Sequence, residues 1–164
     1  MLTKIILHLD MNSYFASCEQ QANPHLRHVP VGVCEHLGGI IIAPSVEAKR
    51  LGIKLGTTVW DARKIYPKIV LLPVDPDKYR YVTASFLKIL SEYSNRIEKY
   101  SIDEAFADIT ELVGNNSSPP PLILRGGISP LKVRGDKGEL SSWDNALLIG
   151  LEIKQRIRKE IGEW

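Results

Sequence analysis

Cysteine is scarce in this sequence. The 164 residues include two cysteines, Cys18 and Cys34, and neither has a second Cys or a His at the spacing of a metal site. This shortage excludes a disulfide framework and a structural zinc site. Both cysteines are expected to be buried free thiols in the reducing environment of the cytoplasm.

Long apolar runs and a strong net charge are also missing. No run approaches the ~20 apolar residues of a membrane span, and the N-terminus is too short and too alternating for a signal peptide, so no membrane partner is expected. The formal net charge is +2, from 21 Lys and Arg against 19 Asp and Glu. DNA affinity would therefore depend on local basic patches and not on an overall basic field.

What the sequence does contain is an adjacent acidic pair, Asp103 and Glu104, within residues 100–106 (YSIDEAF). Apolar residues alternate on both sides of the pair, which predicts a β-hairpin over 96–110. Neighbouring carboxylates repel each other and raise each other's pKa unless a cation lies nearby, and a divalent metal meets that need. The alternative is a solvated hairpin turn, in which Asp is a common residue.

A third acid, Asp10, ends a buried strand predicted over residues 3–10. Asn12 or Ser13 is placed to cap the helix predicted over 13–21. A strand-end acid and an acidic hairpin in one sheet form a palm-like sheet with a two-metal site for phosphoryl displacement. Three carboxylates and a backbone carbonyl are the hard oxygen ligands that Mg²⁺ prefers.

The rest of the pattern predicts a mixed α/β fold, because helices and strands alternate irregularly. The longest helix is predicted to end near Ser94, and a final helix to about Ile161 carries an isoleucine stripe. Residues 114–142 contain prolines, glycines and basic residues, which predicts an inserted loop between these helices. The predicted helix N-caps are Ser45, Thr57 or Thr58, Asp75 and Asp144.

Three segments resemble the Y-family, or translesion, DNA polymerases, with the bacterial polymerase IV and V branch as the closest match. Residues 10–19 (DMNSYFASCE) and 100–106 resemble the two catalytic motifs of that family, and residues 42–52 (IAPSVEAKRLG) resemble its finger segment. The resemblance implies an error-prone polymerase for DNA damage bypass and repair. Its partners would be primer–template DNA and a dNTP, and its location the cytoplasm, in association with the nucleoid.

The resemblance also implies residue roles. Asp10, Asp103 and Glu104 match the catalytic carboxylates, which would hold two Mg²⁺ ions, or Mn²⁺ as a substitute, together with the backbone carbonyl of Met11. Phe15 matches the steric gate, whose ring would reject ribonucleotides by clashing with a 2′-hydroxyl; core packing is the alternative. Backbone N–H groups that open a helix suit the triphosphate oxygens, and they belong to Asn12, Ser13, Tyr14 and Phe15.

The finger segment departs from the commonest pattern of the family. Val46 and Lys49 stand where the family often has Tyr and Arg, which contact the incoming triphosphate. Lys49 keeps the charge without the bidentate fork, and Val46 donates no hydrogen bond. Arg50 is a candidate substitute, with a solvated helix residue as the alternative. Ile40 and Ile42 would form part of the roof over the nascent base pair, or simply belong to the core.

The resemblance also divides the chain into parts. Residues 1–12 and 75–164 are expected to form an incomplete palm, with 114–142 as its insert, and residues 13–74 a small fingers subdomain. The thumb, the C-terminal DNA-gripping domain and the region that binds a sliding clamp have no counterpart here. Because those parts grip the duplex through its phosphates, the isolated chain is expected to bind DNA poorly and to extend primers slowly or not at all.

Two alternatives belong to other functional classes. One is a catalytically silent, polymerase-like interaction module, and the retention of Asp10, Asp103 and Glu104 argues against it. The other is a different palm-type nucleotidyl enzyme, such as a nucleotide cyclase, which pairs acids on a similar sheet. The surroundings of Phe15 and the 46–49 helix argue against the cyclase, and so would the absence of a cyclic nucleotide product.

Overall fold

The computed structural model describes residues 4–114 and 142–162, which form two small sheets surrounded by helices. The strands are β1 (Ile6–Asp10), β2 (Val31–Cys34), β3 (Ile41–Pro44), β4 (Val70–Pro73), β5 (Ile97–Lys99) and β6 (Glu104–Asp108). The helices are α1 (Tyr14–Ala22), α2 (Val46–Arg50), α3 (Val59–Ile65), α4 (Pro76–Ser91), α5 (Thr110–Gly114) and α6 (Ser142–Glu160). The predicted mixed α/β class is confirmed. The insert predicted over 114–142 lies outside the described residues except for its two end positions.

The first sheet has the strand order β1–β6–β5 with both pairs antiparallel. β5 and β6 form the hairpin predicted over 96–110, which is confirmed. The larger core lies between this sheet and α1, α4 and α6, and its fully buried members include Phe86, Leu90 and Ile153. Burying a side chain such as Phe86 contributes roughly 2–3 kcal/mol.

β1 is not the buried strand that the apolar run predicted. Ile6 is 51% exposed, His8 and Asp10 are also exposed, and Leu7 and Leu9 are half-buried against the core. The reason is that the core covers one face of this sheet: Leu7 and Leu9 pack on it, and the side chains of Ile6, His8 and Asp10 alternate onto the opposite, exposed face. An apolar run therefore sits on a strand with one covered face.

The second sheet has the order β3–β2–β4, in which β2 pairs antiparallel with β3 and parallel with β4. It shares a smaller core with α2 and α3, around Cys34, Ile41 and Ile53. Two predicted caps are confirmed. The Ser45 Oγ accepts from the Ala48 N–H at 3.2 Å, and the Thr58 Oγ1 accepts the corresponding hydrogen bond in α3.

The long helices confirm one predicted cap and correct another. Asp75 caps α4 by accepting from the Lys78 N–H at 3.1 Å. α4 has 16 residues and α6 has 19, so α4 is not the longest helix. Asp144 lies in the first turn of α6 instead of capping it. An acid stabilises a helix N-terminus in either position, so the residue type did not fix the start.

The isoleucine stripe predicted for the final helix and the burial predicted for the two cysteines are confirmed. Ile149, Ile153 and Ile157 are buried against the first sheet, and Ile161 is half-buried. Both cysteines are buried free thiols, and burial raises the pKa of Cys18 to about 12, which leaves it protonated and unreactive at neutral pH. Within residues 4–114 and 142–162, no helix is long and apolar enough to cross a membrane.

Candidate functional site

The backbone brings the three predicted carboxylates to one end of the first sheet. Asp10, the last residue of β1, lies directly opposite Glu104, the first residue of β6. Asp103 stands in the bend just before β6, and its carbonyl accepts from the Met11 N–H at 3.1 Å. The β ladder and this bond therefore fix the relative positions of both acidic motifs.

The carboxylates themselves point to different partners. The Glu104 Oε1 lies 2.6 Å from His8 Nε2, and the Ser101 hydroxyl donates to Asp103 Oδ1. Asp10 lines a separate groove of ≈ 340 Å³ beside α6, together with Lys154 and other residues. In the part of the chain that the structure describes, no three His, Cys, Asp or Glu side chains form a metal-binding group.

The donor chemistry nevertheless fits a divalent cation. Carboxylates and a nearby backbone carbonyl are hard oxygen donors of the kind that Mg²⁺ and Mn²⁺ take. The backbone already aligns Asp10 with Glu104. His8 engages Glu104 Oε1, so that oxygen would have to exchange its His8 partner for a cation, at a side chain that is partly exposed.

A cleft of ≈ 360 Å³ adjoins this sheet end. It lies between the start of α1, β3, α2 and the turn that follows α2. Its lining residues are Tyr14, Phe15, Ile42, Ala43, Pro44, Lys49, Lys54, Leu55 and Asp103. Asp103 thus belongs both to the acidic sheet end and to a cleft with an aromatic side and two lysines.

The start of α1 differs from the predicted capped helix. Ser13 occupies the N-cap position in a left-handed conformation (φ 51°), and neither it nor Asn12 makes a side-chain capping bond. The Ser13 Oγ is buried and has no hydrogen-bond partner among the described residues. The Asn12 carbonyl instead accepts from the Ser17 hydroxyl at 2.9 Å. The first N–H groups of α1 are therefore not satisfied by a side-chain cap.

Tyr14 and Phe15 occupy different environments. Tyr14 is 4% exposed, and its hydroxyl lies 2.8 Å from both the Tyr79 carbonyl oxygen and Thr83 Oγ1. Burial raises the pKa of Tyr14 well above its ordinary value. Phe15 is half-buried, stacks on the Tyr79 ring at 4.4 Å and lines the cleft. Its position is compatible both with core packing and with a gate.

A buried network connects α4 to the acidic bend. Thr83 is 3% exposed and its Oγ1 donates to the Ile102 carbonyl at 2.6 Å, one residue before Asp103. Thr83 Oγ1 also contacts the Tyr14 hydroxyl. The start of α1, the middle of α4 and the acidic bend are therefore joined at one side chain.

The three predicted finger residues separate around α2. Lys49 is exposed and lines the cleft, whereas Val46 and Arg50 are not among the lining residues. Lys54 and Leu55 line the cleft but have no counterpart in the sequence analysis. They lie in a turn where the Lys54 N–H donates to Thr57 Oγ1 at 2.9 Å. No local pattern marks them, because tertiary folding alone brings this turn to the cleft.

Ile40 and Ile42 also separate. Ile42 lines the cleft, as a roof residue would. Ile40 is 48% exposed and forms an isolated bridge with Thr58 outside β3. Ile40 is therefore not a roof residue in this structure, whereas Ile42 lines the cleft.

Comparison with known proteins gives a consistent result. Residues 9–164 match the IMS model of the impB/mucB/samB family. DNA polymerase IV of Bacillus velezensis is 39% identical over 111 residues, which cover 66% of this chain and 27% of that protein. DNA polymerase IV of Clostridium perfringens is 33% identical over 159 residues, which cover 96% of this chain and 37% of that protein. The chain thus spans roughly a quarter to two fifths of these relatives.

Solved structures share the fold. An insertion ternary complex of Dbh DNA polymerase matches with a TM-score of 0.74 at 24% identity, over 94% of this chain and 39% of that one. A Y-family DNA polymerase chimera matches with a TM-score of 0.75 at 24% identity, over 95% and 39%. This likeness confirms the expected polymerase-like fold. The chain belongs to the impB/mucB/samB family, the family of the Y-family translesion DNA polymerases, and spans only part of the length of these relatives.

Proposed function

We propose that this chain carries the nucleotidyl-transfer site of a translesion DNA polymerase. The reaction is template-directed transfer from a dNTP to a primer 3′-hydroxyl during damage bypass. The observation that supports it is the junction at Asp103, where the sheet end with Asp10 and Glu104 adjoins the cleft with Phe15 and Lys49. Family membership makes this chemistry the first one to test.

Each part of the site has a role in this proposal. Asp10, Asp103, Glu104 and the Met11 carbonyl would hold Mg²⁺, which neutralises triphosphate charge and lowers the pKa of the 3′-hydroxyl. The N–H groups at the start of α1 would donate hydrogen bonds to phosphate oxygens, which an uncapped helix N-terminus is well suited to do.

The cleft supplies the remaining contacts. Lys49 and Lys54 add positive charge on the opposite side from α1. Phe15 excludes a 2′-hydroxyl from the sugar position. Val46 and Arg50 do not line the cleft in this structure, so their contribution to nucleotide binding would require a change in α2.

The subdomains follow the same proposal. The second sheet, with α2 and α3, has a core of its own, which supports a fingers unit within residues 13–74. The first sheet, with α4 and α6, supports a palm in residues 1–12 and 75–164. α1 shares the core of the first sheet and borders the second. Primer–template DNA is the proposed partner, and a sliding clamp would be bound by regions of the family outside this chain.

The test is a thermal melt with and without Mn²⁺ plus dATP, in the parent chain, Asp103→Asn and Asp77→Asn. Asp77 is a matched control, because its side chain is 94% exposed on α4 and forms a surface ion pair with Arg80. At a ligand concentration of 100 times Kd, binding stabilises the folded state by about 2.7 kcal/mol. We expect this shift in the parent and in Asp77→Asn and its loss in Asp103→Asn.

Three outcomes contradict the proposal. A cooperative melt of the parent without any ligand shift favours a silent interaction module. An equal shift in Asp103→Asn places the nucleotide somewhere other than the acidic sheet end. A cyclic nucleotide product after incubation with a nucleoside triphosphate would instead assign the site to a cyclase.

A further inference from the structure

The side chain of Gln20 connects α1 to α2, the two helices that contribute Phe15 and Lys49 to the cleft, without lining the cleft itself. Gln20, near the end of α1, is 8% exposed, and its Nε2 donates to Glu47 Oε2 of α2 at 3.0 Å. The same Nε2 donates to the Val29 carbonyl at 3.0 Å. Both amide protons of Gln20 are thus used to hold the second-sheet unit against α1.

The position of Glu47 on α2 connects this contact to the orientation of Lys49. Glu47 and Lys49 are two residues apart, so their side chains leave the helix about 200° apart. Lys49 lines the cleft, and Glu47 therefore faces the opposite direction, toward α1. Phe15 at the start of α1 and Lys49 on α2 form two walls of the cleft, and the Gln20–Glu47 contact lies behind them.

The two walls are not equally secured. α1 is fixed to α4 on its other side, where Glu19 pairs with Lys78 Nζ at 2.6 Å and accepts from the Tyr79 hydroxyl at 3.0 Å. α2 has 5 residues, too few to be stable as an isolated helix, and depends on its anchors. One anchor is Ser45, which is hydrogen-bonded to Val31 of β2. Ala48, fully buried in the core of the second sheet, is another, and Gln20 adds a contact from α1.

We propose that Gln20 and Glu47 form a clasp, defined by these two side chains, that positions Lys49 opposite Phe15 for nucleotide binding. Both are positioning residues, since neither lines the cleft. The inference rests on the proposed nucleotide site. It predicts that breaking the clasp weakens nucleotide affinity by more than its effect on stability explains, because the cleft must then be organised by the ligand.

The charge state of the clasp agrees with its geometry. Burial pushes the pKa of Glu47 upward, but hydrogen bonds from Gln20, its own backbone N–H and Ser45 outweigh burial and hold the pKa below its ordinary range. Glu47 is therefore an ionised acceptor at neutral pH. A carboxylate acceptor strengthens the hydrogen bond from the amide of Gln20.

The experiment measures the affinity of the whole chain for Mn²⁺–dATP by titration calorimetry, beside a thermal melt without ligand. Gln20→Met keeps the length and removes the amide, and Gln20→Glu opposes two carboxylates. Glu47→Gln keeps an acceptor. The double variant Gln20→Glu/Glu47→Gln reverses the pair. Tyr93→Phe is the stability control, because its hydroxyl donates to Glu152 at 2.7 Å in a part of the core that does not line the cleft.

The clasp predicts a distinct order of affinities. Gln20→Met weakens binding roughly threefold to tenfold, which corresponds to loss of a single net hydrogen bond. Gln20→Glu weakens it further, Glu47→Gln stays near the parent, and the reversed pair recovers affinity relative to Gln20→Glu. Tyr93→Phe lowers the melting temperature and leaves the affinity unchanged.

The outcomes separate the clasp from the nucleotide site. If the parent binds and Gln20→Met binds equally well, the clasp is refuted and the proposed function stands. If the parent does not bind, both are refuted. If Gln20→Met fails to fold, Glu47→Ala gives the same test from a less buried position: equal affinity refutes the clasp, and weaker affinity supports it.

Discussion

Replacing Thr83 with valine removes one hydroxyl from the network between α1, α4 and the acidic bend. Valine has the same shape and is also β-branched, so the helix geometry of α4 should be unaffected. Thr83 Oγ1 donates to the Ile102 carbonyl at 2.6 Å. In Thr83→Val the Ile102 carbonyl loses this donor. Thr83 is only 3% exposed, so water does not readily replace its hydroxyl. Tyr14 keeps its bond to the Tyr79 carbonyl.

The magnitude follows from this accounting. A buried acceptor that loses its partner costs about 1–3 kcal/mol, and the new methyl group gains little because it faces polar atoms. We therefore expect Thr83→Val to lower the free energy of unfolding by about 2 kcal/mol. With a urea m-value of about 2 kcal/mol per molar, the unfolding midpoint moves down by roughly 1 M.

Urea unfolding followed by far-UV circular dichroism measures this change. Thr83→Ser restores the hydroxyl and should recover most of the loss. Ser85→Ala is a matched control on the same helix. The Ser85 hydroxyl donates to a backbone carbonyl, that of Tyr81, but at an exposed position. A Thr83→Val midpoint that falls no further than that of Ser85→Ala would refute the assignment of a buried, connected network.

Two further predictions concern the cleft and its clasp. Phe15→Ala should raise the incorporation of a ribonucleotide relative to a deoxynucleotide roughly tenfold or more. The measurement is primer extension by an active polymerase that contains this site. An unchanged ratio would mean that Phe15 serves only in core packing. Hydrogen bonds hold the folded pKa of Glu47 below its ordinary value, so its stabilising contribution is full above the ordinary pKa of a glutamate and is lost as the pH falls through the folded value. The melting-temperature difference between the parent and Glu47→Gln should therefore shrink as the pH is lowered below the ordinary pKa of a glutamate. A constant difference would contradict this expectation.

The sequence predicted the starts of helices best where the capping side chain bonds a backbone group only a few residues away. Ser45, Thr58 and Asp75 each cap their helix by bonding an N–H three residues later, so the information is contained in the segment. The placement of the acidic motifs at one sheet end was also accessible, because Asp10 and Glu104 terminate strands that pair.

Sequence signals failed where the position of a residue depends on tertiary contacts with other parts of the chain. The same acid stabilises a first helical turn or a cap, which is why Asp144 was misplaced. The apolar run of β1 does not reveal that the core covers only one face of this strand. Lys54 reaches the cleft only because its turn docks on β3, where the Gly56 N–H donates to the Ile41 carbonyl at 2.8 Å.

The two halves of the proposed site are held by different kinds of interaction, and this difference decides how each should respond to mutation. The acidic end depends on a backbone ladder and the Met11–Asp103 bond, which side-chain substitutions leave intact. The opposite wall depends on a 5-residue helix held by a few side chains. Substitutions behind the cleft should therefore reduce nucleotide affinity before they reduce global stability. Substitutions in the buried network of α4 should do the reverse, because local segments with few buried contacts open at lower free energy than the core.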